Sequence, residues 1–263
     1  MKKIILASIC VLSLSSCVVL PDTGQKKFIV TSTAQEMQMG EEGYKEVISK
    51  SKLANKSPNY AVLQRVGSRI AKATGNTEFK WEYNLIESKE LNAWCMPGGK
   101  IAVYTAILPY MKTEAGMAAV LGHEVAHATL RHAGQAMTQQ YGTQLGVQLL
   151  AGTLFGNSPY HDFALAAMGA GATVGITLPH SREHETEADE VGLRYMAEAG
   201  YDPREALAFW ERFAAATAGG APPEFLSTHP GGQTRIDDLK RNMKAALKIY
   251  KQSKDQIGVG VNL

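Results

Sequence analysis

Cysteine is scarce in this chain, with three in 263 residues, and neither sign of charge predominates, since 27 Lys and Arg stand against 25 Asp and Glu. The near balance excludes a strongly basic nucleic-acid binder, and 45% apolar content excludes a disordered tail. Collagen-like glycine periodicity, internal repeats, a phosphate-binding glycine loop and nucleic-acid motifs are all absent from the sequence. At roughly 100 to 200 residues per domain the length suits one sizeable core and does not accommodate two large domains.

What is present begins at the N-terminus. Lys2 and Lys3 precede an apolar run from Ile4 to Leu14, too short to cross a membrane as a helix, and Leu14-Ser15-Ser16-Cys17 follows. This is the pattern of a secretory signal, and its ending resembles a bacterial lipobox. The resemblance implies that Cys17 is diacylglycerol-modified and becomes the first residue of the mature chain. Val18 and Val19 follow Cys17 where inner-membrane retention would call for Asp. By resemblance to enteric lipoproteins this implies the periplasmic side of the bacterial outer membrane. Loss of Lys2 and Lys3 takes the basic count from 27 to 25, equal to the acidic count. Attachment is therefore expected from acyl chains, each buried CH₂ contributing about 0.8 kcal/mol, and not from charge. Cys10 leaves with the signal, so only Cys95 remains unmodified and no internal disulfide is expected. Cys95 reads as a small buried hydrophobe.

The mature chain reads as α+β and mostly helical. Thr33-Ala34-Gln35-Glu36 has the form of a capping box and opens a helix to about Ser51. Pro58 precedes a second helix with Leu63, Val66, Ile70 and Ala73 at helical spacing and Gly75 as its stop. Phe79, Trp81, Tyr83 and Leu85 alternate with polar residues, which predicts a strand. A second strand from Ala93 to Met96 turns at Pro97-Gly98-Gly99 into a third, Ile101 to Tyr104. Later, Asp202-Pro203-Arg204-Glu205 caps a helix whose Leu207, Trp210 and Phe213 read as core, and a final helix follows Thr234. The tail after Gln256 is expected to be loose.

The chemistry lies between these elements. His123-Glu124-Val125-Ala126-His127 is an H-E-x-x-H pattern in an apolar helical context from about Thr113 to Leu130. A chance occurrence is expected ~0.01 times in a chain of this composition. Two His four residues apart share a helix face, close enough to reach one Zn²⁺ at about 2.0 to 2.1 Å, and Glu124 beside them can take a proton from metal-bound water. A catalytic zinc needs a third protein ligand and one open position. The acidic segment Ser181 to Asp189 supplies candidates, because a carboxylate ligand followed four residues later by a second carboxylate puts both on one face. Glu185 with Asp189 satisfies this, and so does Glu183 with Glu187.

H-E-x-x-H followed about 60 residues later by Ser181-Arg182-x-x-Glu185-x-x-Ala188-Asp189 resembles the HtpX-like and CAAX-prenyl-protease-like zinc metallopeptidases. The resemblance implies a zincin-like core, Glu185 as third ligand, Asp189 as the carboxylate that holds a ligand His, and Glu124 as general base, with one zinc per chain. Asn92-Ala93 through Pro97-Gly98-Gly99 is similar to the family's edge strand before the zinc helix. Ser227-Thr228-His229-Pro230 with Arg235 is similar to its late loop. Transmembrane helices flank the core in the membrane-embedded members and are missing here, so the chain looks like the soluble lipid-anchored branch, similar to LoiP-type bacterial lipoproteins. The expected organisation is a signal at 1–16, anchor and linker at 17–32, a metallopeptidase domain at 33–256 and a flexible tail at 257–263.

His132 lies nine residues past His123, half a turn out of phase, and is expected to face away from the metal. His161, His180 and His184 are not expected as ligands either. His229, in a Gly- and Pro-rich loop, has three readings: surface residue, oxyanion donor in catalysis, or fourth ligand that closes the site. Arg235 has readings as a partner of substrate or of an acidic group beside the metal ligands, and by default as a surface residue at a helix start. Apart from Asp162, residues 133–181 carry no Asp, Glu, Lys or Arg. Gln residues and Pro159 break that segment, so it reads as helices packed over the zinc helix, with Gly169 to Gly175 as a lid or a stretch that lies on lipid. The expected activity is hydrolysis of unfolded or misassembled envelope proteins, with substrate extended beside Ile101, Ala102, Val103 and Tyr104. The family adds an implied link to outer-membrane assembly machinery. The rival class is a lipoprotein chaperone or assembly factor whose zinc is structural and closed by His229.

Overall fold

The computed structural model describes residues 17–156, 158, 161–172, 178–217, 223–229 and 232–263. The expected signal segment, the end of the Gly169 to Gly175 stretch, Pro159, Pro230 and the His180 side chain lie outside the described residues. In chain order the elements are β1 (Cys17–Val19), β2 (Lys26–Phe28), α1 (Thr33–Lys50), α2 (Pro58–Ala73), β3 (Glu82–Ile86), β4 (Ala93–Met96), β5 (Lys100–Tyr104), α3 (Leu108–Met111) and α4 (Glu114–Thr129). There follow α5 (His132–Phe155), α6 (His161–Ala172), α7 (Leu178–Glu198), α8 (Arg204–Thr217), α9 (Glu224–Thr228) and α10 (Gly232–Gln252). The chain divides into two compact units: Met1–Glu36 with Arg131–Glu183, and Met37–Leu130 with His184–Leu263.

In the first unit, residues expected as a linker form an antiparallel hairpin, β1 on β2, with Cys17 opposite Phe28. The turn closes because Gly24 takes φ +69° and its N–H donates to Leu20 O, while Leu20 and Ile29 are buried beneath. The cap of α1 sits one residue earlier than the sequence suggested. Ser32 Oγ accepts from Gln35 N–H at 3.2 Å and Gln35 Oε1 accepts from Ser32 N–H at 2.9 Å, a Ser-x-x-Gln box. Glu36, read as the box acid, is instead buried and accepts two bonds from Arg131 at 2.7 and 3.0 Å. Arg131 has φ +57°, so the helical run breaks there and His132 starts a new helix. The phase argument that extended the zinc helix to His132 does not apply, although His132 does stay outside the metal cluster described below. α5 and α6 pack on each other, and no described helix is long and apolar enough to cross a membrane.

The second unit is built around α4. Its residues are buried except His127, which is partly exposed, and the helix packs against α2, α8 and β4. α2 begins where Ser57 Oγ accepts from Asn59 N–H with Pro58 at the first helical position. The three-stranded sheet has the order β3-β5-β4, with β3 parallel and β4 antiparallel to β5. β5 carries Ile101, Ala102 and Val103 fully buried in succession, the pattern of a central strand covered on both faces. Gly98 and Gly99 take φ +88° and +82° between β4 and β5, and a Cβ on Gly99 would meet the Trp81 ring, so the turn requires glycine. The expected strand from Phe79 starts only at Glu82, because Asn76 Oδ1 accepts from the Glu78 and Phe79 N–H groups and holds that stretch in a turn.

Two expectations are overturned here. The first is substrate pairing beside Ile101, Ala102, Val103 and Tyr104. That strand is central, and both its edges are already paired with β3 and β4. The second is the loose tail at 257–263. Val261 O accepts from Glu114 N–H at 2.9 Å and Val259 O from Ala115 N–H at 3.0 Å, while Leu263 N–H donates to Lys112 O at 2.9 Å. The tail therefore satisfies the first free N–H groups of α4, a role invisible locally because its partners lie about 145 residues away.

Candidate metal centre

The H-E-x-x-H residues sit on the C-terminal half of α4. Thr113 starts that helix as N-cap, its Oγ1 accepting from Gly116 N–H at 3.1 Å, and one turn separates His123 from His127. α7 crosses this helix at very short range. A Cβ on Gly122 would lie 2.6 Å from Gly192 O, so the backbones touch there and bring Glu185 and Asp189 against the two His. The late loop delivers His229, the residue that caps the C-terminal end of α9.

His123, His127, Glu185 and His229 offer one donor atom each within 4.8 Å of one another. His123 Nε2 lies 3.1 Å from both His127 Nε2 and His229 Nδ1. Glu185 oxygens lie 3.3 Å from His123 Nε2, His127 Nε2 and His229 Nδ1. Zinc bonds of about 2.0 to 2.1 Å place the corners of a tetrahedron roughly 3.3 to 3.4 Å apart. The donor spacing and the donor chemistry, imidazole and carboxylate, both fit that ion. The alternative pair left open by spacing, Glu183 with Glu187, does not join this cluster, nor do His161 and His184.

Around the donors runs a ring of buried groups. His123 Nδ1 lies 2.8 Å from Asp189 Oδ1, ion-pair distance though outside hydrogen-bond angles. Arg235, by default a surface residue in the sequence reading, is buried, and of its other two readings the structure shows the pairing with acidic groups. Its Nε–H donates to Asp189 Oδ2 at 2.7 Å, a second nitrogen bonds Glu185, and a third reaches His229 O at 3.4 Å. Its guanidinium stands 4.0 Å from the centre of the Trp210 ring. Trp210, read as plain core, in turn stacks on Phe225 at 5.5 Å and lies edge-on to His123 at 5.9 Å. The apolar spacing of α8 gave no sign of this contact. The one available signal for Arg235 was its place six residues after His229 in the late loop.

Electrostatically the cluster calls for a cation. Burial would raise Glu185, yet hydrogen bonds from His123, His127 and His229 hold it far below the usual carboxylate range. Burial and Arg235 both push His123 down, but Asp189 and Glu185 outweigh them and hold it up at about 9. Glu124 is shifted upward, chiefly by burial, against the pull of His229 and His123. Its Oε1 has no hydrogen bond and lies 3.4 Å from His229 Nε2. A buried carboxylate next to the donor cluster, with one oxygen lacking a hydrogen bond, is placed to exchange a proton. Cys95, on β4, is partly exposed, not fully buried as expected, and desolvation keeps its thiol well above the usual range.

Comparison with known proteins adds an independent finding. The family profile described as Peptidase family M48 matches residues 58–243. Mitochondrial metalloendopeptidase OMA1 of Schizosaccharomyces pombe is 34% identical over 240 residues, covering 90% of this chain and 69% of that protein. The Arabidopsis thaliana protein of the same name is 35% identical over 188 residues, covering 70% of this chain and 37% of its own length. The beta-barrel assembly-enhancing protease of Escherichia coli is 29% identical over 245 residues, covering 90% of this chain, which spans about half of that relative (49%).

Proposed function

The chain belongs to peptidase family M48, and from that premise we propose a zinc-dependent endopeptidase, lipid-anchored through Cys17, that acts on unfolded or misassembled envelope proteins and is kept latent by His229. The observation that carries the reading is the compact set of four donors within 4.8 Å of one another, with buried Glu124, whose Oε1 has no hydrogen bond, beside it.

In this reading His123, His127 and Glu185 hold one zinc per chain. When bound, zinc polarises the scissile carbonyl and lowers the pKa of the attacking water. Glu124 takes the proton of that water and delivers it to the amine as the C–N bond breaks. Asp189 fixes the His123 ring by facing Nδ1, which leaves Nε2 for the metal. His229 Nδ1, 3.1 Å from His123 Nε2, would supply a fourth donor where a catalytic site keeps a position open, so hydrolysis would require His229 to withdraw. Substrate adds to the outer edge of β4, which no described strand pairs, and main-chain bonding there favours extended, unfolded segments over a tight recognition sequence. The lipobox-type ending at Cys17 supports the envelope location. The name of the Escherichia coli relative, a protease that enhances β-barrel assembly, supports a link to β-barrel proteins and their assembly machinery.

The test compares the purified full-length parent, Glu124→Gln and His229→Ala on unfolded casein, with metal content measured in each. Equal zinc in parent and Glu124→Gln, with cleavage lost only in the latter and abolished in the parent by chelator, supports the reading. His229→Ala should cleave faster than the parent. Loss of cleavage in His229→Ala with zinc retained would assign His229 to catalysis and remove latency.

A further inference from the structure

The α5 and α6 helices leave large apolar side chains in solvent. Tyr141, Leu145, Leu149, Leu150 and Leu154 on α5 and Phe163 on α6 are each more than half exposed, Leu154 by 66% and Phe163 by 76%. α5 has no Asp, Glu, Lys or Arg, and α6 has only Asp162. An exposed apolar cluster of this kind marks a docking surface. The arrangement also indicates what covers it. At 100° per residue the five α5 side chains spread over about 220° of the helix circumference. A helix that docks in a protein groove presents a single stripe, whereas one apolar round most of its circumference suits hydrocarbon. Leu145 to Phe155 extends about 16 Å at 1.5 Å per residue, roughly half a ~30 Å bilayer core, so it can enter one leaflet without crossing.

The other end of the same unit identifies the bilayer. Cys17 opens β1, and Val30, just past β2, donates its N–H to Thr138 Oγ1 on α5 at 3.0 Å. Val19, Phe28 and Val30 on this side are about half exposed as well. The apolar residues from Ile4 to Leu14, which lie outside the described residues, end just before Cys17.

We propose that the α5–α6 tip inserts into the leaflet that carries the Cys17 acyl chains, giving the enzyme a second, non-covalent membrane contact. This inference rests on the lipid-anchor reading of Cys17. The acyl chains tether the unit, and the tip restricts its orientation on the surface.

The test uses the full chain with Cys95→Ser and Leu150→Cys, labelled at position 150 with a nitrobenzoxadiazole dye and reconstituted into phosphatidylethanolamine and phosphatidylglycerol vesicles. The dye should shift to shorter wavelength and be quenched by nitroxide lipids, and a dye at Phe163→Cys should behave alike. The same labelled chains without vesicles should do neither. Mass spectrometry of the Cys17 peptide reads acylation separately. Dyes that remain in water at positions 150 and 163 in a chain whose Cys17 is acylated overturn the inference. So does a blue shift that grows with protein concentration without vesicles, which assigns the tip to a second copy. A Cys17 peptide without the lipid mass overturns the anchor reading instead, and quenching at 150 then still decides whether the tip enters lipid.

Discussion

Gly122 on α4 and Gly192 on α7 cross with their backbones in contact. A Cβ on Gly122 would lie 2.6 Å from Gly192 O, and one on Gly192 would lie 2.7 Å from His123 N. The crossing is one residue from the first metal donor, so it sets how close Glu185 and Asp189 come to the His pair. Gly122→Ala or Gly192→Ala should push the helices apart at a cost of about 1 to 3 kcal/mol. Metal retention against a chelator should fall although all four donors remain. Parent-like retention in both variants would mean that the crossing relaxes without moving the donors.

Arg235 binds two buried carboxylates at once, Asp189 and Glu185, and lies over Trp210. Its removal takes from both acids a buried cation that His123 then only partly replaces, and breaking buried pairs of this kind costs roughly 3 to 5 kcal/mol. Arg235→Ala should therefore lower the melting temperature of metal-free protein sharply. Arg235→Lys should restore only part of it, because an ammonium lacks the planar fork that spans both acids. Full recovery in the Lys variant would reduce the role of Arg235 to bare charge.

The C-terminal strap gives a stability prediction remote from the chemistry. Gly260 has φ +67°, and a Cβ there would collide with the Glu114 side chain, which also bonds Arg65. Gly260→Ala should destabilise by about 1 to 3 kcal/mol, read from the urea midpoint. Deleting residues 257–263 strips two N–H groups at the start of α4 of their acceptors and should lower the midpoint further. An unchanged midpoint after deletion would show that water replaces the tail at no cost.

Substrate pairing on β4 has its own signature. Methylating the backbone nitrogen at alternate residues of a substrate peptide removes main-chain donors at about 1 kcal/mol each, roughly five-fold. The loss should appear in KM for one alternation phase and not for the other, since successive donors of an extended strand face opposite sides. Equal effects of both phases would argue against strand addition.

Residue chemistry and spacing made much of the centre legible before any coordinates. His123 and His127 lie one turn apart on any helix, and β4 and β5 are legible as short apolar runs on either side of the Pro-Gly-Gly turn. Glu185 was legible by family resemblance, while spacing left Glu183 with Glu187 as an equal choice. Trp210 was not legible, because an aromatic in an apolar stripe looks the same whether or not it meets a metal ligand, and Arg235 was legible only as one of three readings, because a charged residue at a helix start looks the same on the surface or against a buried acid. The cap of α1 was misplaced by one residue because Ser32 and Thr33 both suit the position, and Glu36 belongs to a partner 95 residues later.

By itself the sequence determined the helical periodicities, the two His on one helix face with Glu124 beside them and the apolar, uncharged character of residues 133–161, all of which follow from 3.6 residues per turn and side-chain chemistry. Tertiary structure alone decided that β5 is the central strand between β3 and β4, that the tail caps α4, and that His229 joins the donor set. Each of these depends on contacts between segments far apart in the chain. Local propensity carries no information about which distant partner will satisfy a strand edge, a helix end or a ring nitrogen.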